Sequence, residues 1–221
     1  MTTIIAVQGD GWCVVGWDSR ISNVDDEGRS ETHVLSDSQK KVVQNGPWLL
    51  GAAGDLRAIN VLSHNFVAPV PRPTLSGVAL DKFVSTDFVP ALREVLEKSG
   101  YAPVQREYPG KAEFESELIV AVNGKAYSVD GDYSWITEAS GLYAIGSGSS
   151  YAMGALTATG WGRSVLSARN AVLKALSVAS KFDPGTGAPF HVAVQEQPKK
   201  GKGAKKKASK KVATKNKRSA R

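Results

Sequence analysis

Once the initiator methionine is removed, this chain opens on a threonine that carries two reactive groups on one residue. Thr2-Thr3-Ile4-Ile5-Ala6-Val7 would then present a hydroxyl beside a free α-amine. The unperturbed pKa of such an amine, about 7.7–8.0, leaves a useful neutral fraction near neutrality. The amine can therefore serve as general base for its own hydroxyl, directly or through one water. Methionine before a small residue is normally trimmed, so loss of Met1 is the expectation and no dedicated propeptide is needed. Taken alone, these six residues read more simply as an ordinary strand opened by a β-forming threonine. The histidines offer no competing nucleophile pair: His33, His64 and His191 are far apart in sequence and are expected in a loop, at a helix end and in a strand. Cys13 is the single cysteine, which excludes an intrachain disulfide and makes a cysteine-based metal site a poor reading. It alternates with Trp12 and Val14 as a core residue would.

The elements that must position Thr2 follow from pattern and turn chemistry. Thr2–Val7 and Trp12–Trp17 are short apolar runs joined by Gly9-Asp10-Gly11, a hairpin signal. A polar excursion, Ile21–Ser38, follows. Lys40–Gln44 and Trp48–Ala53 form a second predicted hairpin around Asn45-Gly46-Pro47. A helix is expected from Asp55 to about Asn65, with Leu56, Ile59, Val61 and Leu62 on one stripe and Asp55 near its start. After Pro69–Pro73, a second helical segment runs to Lys98 with an interruption at Pro90. Glu115–Val122, Gly124–Val129 and Ser134–Glu138 read as a meander, and Leu142–Ile145 as a short strand ending in Gly146-Ser147-Gly148-Ser149. Helices to about Thr159 and over Ser164–Lys181 come next, and Phe190–Gln195 is a closing strand. Strands, paired helices, strands and paired helices predict an α+β chain folded as a four-layer α/β/β/α sandwich, sheet on sheet with helices outside.

Charge divides the chain. Of 28 Lys and Arg, 12 fall in residues 199–221, which hold no acidic residue; residues 1–198 keep 16 basic against 21 acidic, a net of −5. Residues 1–198 are thus a mildly acidic domain long enough for one sizeable core. Residues 199–221 contain one Val and no other large apolar side chain, so a disordered Lys-rich tail is expected. Lys interleaved with Ala, Gly and Ser resembles the tails of linker histones and nucleoid-associated proteins. Without aromatics to stack on bases, its binding to nucleic acid would be phosphate-driven and non-specific. No apolar run has the length of a membrane span and no signal peptide is visible, so a cytoplasmic protein is expected.

Six further segments, in order, complete the pattern. Gly16-Trp17-Asp18-Ser19-Arg20, Lys40-Lys41-Val42, Leu49-Leu50-Gly51-Ala52-Ala53-Gly54 and Ala144-Ile145-Gly146-Ser147-Gly148-Ser149-Ser150-Tyr151-Ala152 come first. Ser167-Ala168-Arg169 with Lys174-Ala175-Leu176, and Asp183-Pro184-Gly185-Thr186-Gly187, close the set. Together with Thr2-Thr3-Ile4 these resemble the proteasome β-type subunits and HslV-like peptidases of the N-terminal nucleophile hydrolase superfamily. The resemblance implies a threonine-type endopeptidase with Thr2 as nucleophile. It implies that Lys41 is a buried cation favouring the alkoxide and that Asp18 is its ion-pair partner, although a purely structural ion pair fits the two residues equally well. Ser147 would lie near the terminal amine, Asp183 and Thr186 would orient it, and the Gly54 N–H would stabilise the oxyanion. No cofactor or metal is implied. A homo-oligomeric ring, unfolded protein substrates and an ATPase unfoldase are the expected partners.

The chain also departs from that family. Asp55 stands where a second glycine is common, Ala52 at the position that shapes the specificity pocket suggests a roomy and weakly selective one, and Asn23–Glu31 is unlike the usual substrate-lining loop. Two other readings keep the same fold: a structural or assembly protein working through its polyanion-binding tail, and an amidase of small substrates.

Overall fold

The Asp10-Gly11 turn does what its composition predicts, with Gly11 at φ +73, and folds β1 (Ile4–Gly9) back on β2 (Trp12–Asp18). The computed structural model describes residues 2–24, 30–36, 38–101 and 116–197. Asp25, Asp26 and Glu27 of the departing loop and the Lys-rich segment 199–221 lie outside the described residues. Strand β1 is one of the two inner strands of a four-stranded antiparallel sheet, between β2 and β10 (Leu142–Ile145), with β11 (Phe190–Glu196) on the far side of β2. A second sheet has the order β5 (Val42–Asn45), β6 (Trp48–Gly54), β7 (Ser116–Val122), β8 (Lys125–Val129), β9 (Trp135–Ile136).

Strand periodicity sorts the side chains into three cores. Ile4 and Ala6 of β1, with Cys13, Val15 and Trp17 of β2, pack on Val42, Leu49, Ala53, Ile119 and Ala121 of the second sheet. The intervening residues Ile5, Val7 and Val14 point the other way, onto helices α4 (Ser149–Thr159) and α5 (Val165–Phe182). The outer face of the second sheet, including Leu50, Leu118, Val120 and Tyr127, is covered by α1 (Leu56–His64), α2 (Gly77–Phe83) and α3 (Val89–Lys98). Ile4, Ile5, Ala6 and Val7 are all fully buried. Burying each larger side chain stabilises by about 2 kcal/mol, and a one-residue slip would exchange the two faces. The strand that follows Thr2 is therefore fixed in register from both sides.

Three details differ from the sequence reading. The polar stretch after Asp18 is not irregular throughout: β3 (Arg20–Val24) and β4 (Ser30–Val34) pair as a two-stranded sheet of their own, with His33 in β4. The helix interruption is a π-helical turn, Val84–Phe88, just ahead of Pro90. Proline lacks the N–H that the preceding turn would accept, and the helix widens there. Phe88 of that turn is buried and stacks on Trp48 with ring centroids 4.0 Å apart. The predicted strand Ser134–Glu138 shrinks to Trp135–Ile136. Cys13 is fully buried in the core, and burial pushes its thiol up to about 12, leaving it inert. No helix among the described residues is long and apolar enough to cross a membrane.

Candidate active site

Register alone delivers the first neighbours of Thr2. Ile4 pairs with Trp17 on one side and with Ile145 on the other. Continuing those antiparallel ladders outward sets Thr3 opposite Asp18 and Thr2 opposite Ser147. The contacts agree: Thr3 N–H donates to Asp18 Oδ1 at 3.0 Å, Asp18 N–H to the Thr3 carbonyl at 3.3 Å, and Thr2 N–H to Ser147 Oγ at 3.3 Å.

Asp18 is fully buried and its carboxylate is saturated. Oδ1 accepts from Thr3 N–H and from Lys41 Nζ at 2.7 Å; Oδ2 accepts from Arg20 N–H at 3.0 Å and Gly187 N–H at 2.9 Å. Lys41, directly before β5, is 3% exposed and also donates to the Arg20 carbonyl. Burial lowers the Lys41 pKa from its ordinary value, and the Asp18 charge and hydrogen bond oppose that shift. An ion pair sealed in this way adds little net stability while intact but is costly to halve.

The second group of residues comes from the end of α5. Asp183 follows the last helical residue, and its chain turns through Pro184-Gly185 so that Gly185 N–H returns to Oδ1 at 3.2 Å. Oδ2 accepts from Ser147 Oγ at 2.9 Å and from Thr186 Oγ1. Two residues to which the sequence assigned no role complete this cluster. Thr3 Oγ1 contacts Thr186 Oγ1. Gly148 leaves the room: a Cβ there would lie 2.1 Å from Thr3 Oγ1, 2.6 Å from Thr186 Oγ1 and 2.9 Å from Asp183 Oδ2. No periodicity signals either residue; the Gly146-x-Gly148 spacing was the visible trace. Gly146 has φ +86, and a Cβ on it would come within 2.1 Å of the Thr2 carbonyl.

Gly54 ends β6 at φ +127, a conformation that favours glycine. It borders a cavity of about 280 Å³ whose wall also includes Thr2, Lys41 and Asp55, with Ile21, Ala52, Leu56 and Ile59 as its apolar part. Asp55 is the cap of α1, accepting from Arg57 N–H at 2.8 Å through Oδ1, while Tyr101 Oη donates to Oδ2 at 2.8 Å. Asp55 thus caps the helix and lines the cavity at once. A larger hollow of about 470 Å³ lies along edge strand β5 around Trp17, Gln39, Lys40 and His64 and contains none of the predicted site residues.

All seven predicted residues fall in this one region: Lys41 is bonded to Asp18, Thr2 N–H joins the cluster of Ser147, Asp183 and Thr186, and Gly54 lines the same cavity as Thr2 and Lys41. The sequence left every histidine unassigned, whereas the structure pairs His191 Nε2 with Ser19 Oγ at 2.9 Å and stacks the imidazole on Trp17. Ser19 is buried, so this is a packing contact. Among the described residues no cluster of three or more His, Cys, Asp or Glu is arranged to hold a metal ion.

No protein-family model matches the chain, and no curated protein matches it. Solved structures do. Thiobacillus denitrificans BPH is 20% identical with a TM-score of 0.64, over 89% of this chain and 99% of that one. Thiobacillus denitrificans BPH in complex with epoxomicin gives 19% and 0.62 over the same shares. Eukaryotic HslV from Trypanosoma brucei is 21% identical with a TM-score of 0.55, over 88% of this chain and 99% of that one. The likeness shows the fold, that of the HslV-type, proteasome-like structures.

Proposed function

On that shared fold, we propose that this chain is a threonine-type endopeptidase, a subunit of a proteasome-like homo-oligomeric ring, with Thr2 as N-terminal nucleophile after loss of Met1. We read its helix, sheet, sheet and helix layers as the N-terminal nucleophile sandwich. The observation that carries the reading is the anchoring of two successive residues: Thr2 N–H on Ser147 and the Thr3 backbone on Asp18, which itself holds Lys41. In the proposed reaction Thr2 Oγ attacks the scissile carbonyl and its proton passes to the α-amine. The Lys41 cation favours the developing alkoxide, and Gly54 N–H receives the oxyanion. The amine returns the proton to the leaving nitrogen, an acyl-enzyme remains on Thr2, and water activated by the same amine releases it. The apolar wall of Ile21, Ala52 and Ile59 takes the substrate side chain. Unfolded polypeptides delivered by an ATPase unfoldase are the substrates this reading implies, in the cytoplasm.

The test is incubation with epoxomicin, the ligand of the BPH complex, followed by intact-mass and peptide mapping. A peptide epoxyketone offers two electrophilic carbons, which suits a hydroxyl and an amine on one residue. One adduct per chain on a peptide beginning at Thr2 is expected. An unlabelled chain, or an adduct elsewhere, removes the threonine mechanism and leaves the assembly-protein reading. Labelling without cleavage of unfolded protein favours the small-amide reading.

For residues 199–221 we propose a non-specific polyanion anchor, supported by 12 basic residues beside a domain of net charge −5. Deleting them should leave peptide hydrolysis unchanged and remove DNA binding. A salt titration of both forms against two unrelated duplexes checks this, since each neutralised phosphate releases counterion and steepens the salt dependence. Equal binding by the truncated form, or binding indifferent to salt, would defeat the idea.

A further inference from the structure

We propose that Thr3 is a positioning residue whose hydroxyl, through Thr186, supports the Asp183 carboxylate beside the Thr2 nitrogen; the proposal rests on reading Thr2 as the nucleophile. Thr3 is fully buried and touches both halves of the site. Its backbone clasps Asp18, with Thr3 N–H on Oδ1 and the Thr3 carbonyl receiving Asp18 N–H. Its side chain meets Thr186 Oγ1.

Counting protons orients the whole chain of groups. A carboxylate has no proton to give, so Ser147 and Thr186 must both donate to Asp183 Oδ2. Thr186 has then spent its only hydroxyl proton, and the proton in the Thr3–Thr186 contact is Thr3's. Ser147 Oγ also lies 3.5 Å from the Thr2 carbonyl, but its 2.9 Å bond is shorter and goes to a charged acceptor, so its proton stays on Asp183. Toward the Thr2 nitrogen, Ser147 can only accept. An amine that donates to Ser147 has its lone pair directed away from that serine, as a base for Thr2 Oγ requires. Two lines of donors, Thr3 through Thr186 and Ser147 directly, converge on Asp183 Oδ2, and the Ser147 oxygen is left to accept from the Thr2 nitrogen. Gly148 keeps the space in which the three oxygens meet.

Removing the Thr3 hydroxyl leaves the Thr186 oxygen without its donor and weakens the bond that Thr186 gives Asp183. The carboxylate, less stabilised, attracts a proton to the Thr2 amine more strongly. The amine then needs a higher pH to become neutral. The other charges facing that amine are Lys41 and Asp18 on one side, Asp55 on the cavity wall and Glu117, which accepts from Gly146 N–H at 3.2 Å. Thr3→Val leaves all of them in place, along with the branched Cβ and both backbone bonds to Asp18.

The experiment measures kcat and KM of the full chain on a fluorogenic peptide across about pH 5–9, with epoxomicin titration of the wild type as the reference. Thr3→Val should lower kcat about tenfold, with KM within about twofold, and raise the acidic limb by about half a pH unit. Thr3→Ala should behave alike, and it adds no bulk to the cluster, so it carries the comparison if the valine variant does not fold. Thr3→Ser keeps the hydroxyl and should retain kcat within about twofold and the wild-type limb. Wild-type kcat and limb in Thr3→Ala or Thr3→Val overturn the proposal, as does Thr3→Ser as impaired as Thr3→Ala. A wild type that epoxomicin does not label overturns the reading of Thr2 itself, a result distinct from either.

Discussion

Thr2→Ala abolishes peptide hydrolysis and epoxomicin labelling while leaving the fold intact: that is the expected result, with a rate loss of at least about 10³-fold. The fold should survive because the change removes only two side-chain atoms. The strand that follows is held by Ile4, Ile5, Ala6 and Val7, all fully buried. A stability loss of about 1 kcal/mol is the scale to expect from such a truncation. Thr2→Ser, which keeps hydroxyl and amine, should recover a substantial part of the rate. Turnover surviving in Thr2→Ala, or active protein whose intact mass still includes Met1, places the nucleophile elsewhere.

Lys41→Ala should be nearly as damaging to the rate, and here folding must be checked first. Its loss leaves Asp18, a buried carboxylate with three backbone N–H donors, without its ion-pair partner, at a cost of about 3–5 kcal/mol. Asp18→Asn fails for a different reason. Four donors surround the two oxygens, so the amide NH2 must face at least one donor wherever it turns. The double variant should cost less than the sum of the singles, because the second change removes a group already unpaired. The pH dependence has a definite sign. Burial lowers Lys41 below its unfolded value of 10.5, so the native chain binds fewer protons and stability rises with pH between the lowered value and 10.5. Lys41→Met should remove that rise in urea-melt midpoints. A folded Lys41→Ala chain with wild-type kcat/KM would sink the catalytic role of the pair.

Much of this arrangement was legible because it is periodic or punctuated. Alternating apolar residues around Asp10-Gly11 predicted β1 and β2. Asp55 before a helical stripe predicted the cap of α1, and Gly146-Ser147-Gly148-Ser149 marked the turn that brings Ser147 to Thr2. The β3–β4 hairpin was not legible, since its strands are polar and pair with each other outside the main sheets. The widened turn at Val84–Phe88 was foreshadowed only as a break near Pro90. Thr3 was read as a strand residue, because its importance lies in a contact 183 positions away that no local pattern encodes. The Arg20 carbonyl that receives Lys41 is invisible for the same reason: every residue has one.

The position of β1 in its sheet also has a meaning in time. One edge of the strand is closed at once by β2, but the other waits for Leu142–Ile145, and the oxygen cluster waits for Asp183 and Thr186. At about 5–20 residues per second of synthesis, a growing chain spends roughly ten to forty seconds with its terminus unsealed. On the proposed reading, Met1 would be open to a methionine aminopeptidase throughout that interval, while the parts proposed to cut a peptide do not yet coexist. Trimming would then precede closure and activity would follow it, so a ribosome carrying an unfinished copy would not be exposed to an armed protease.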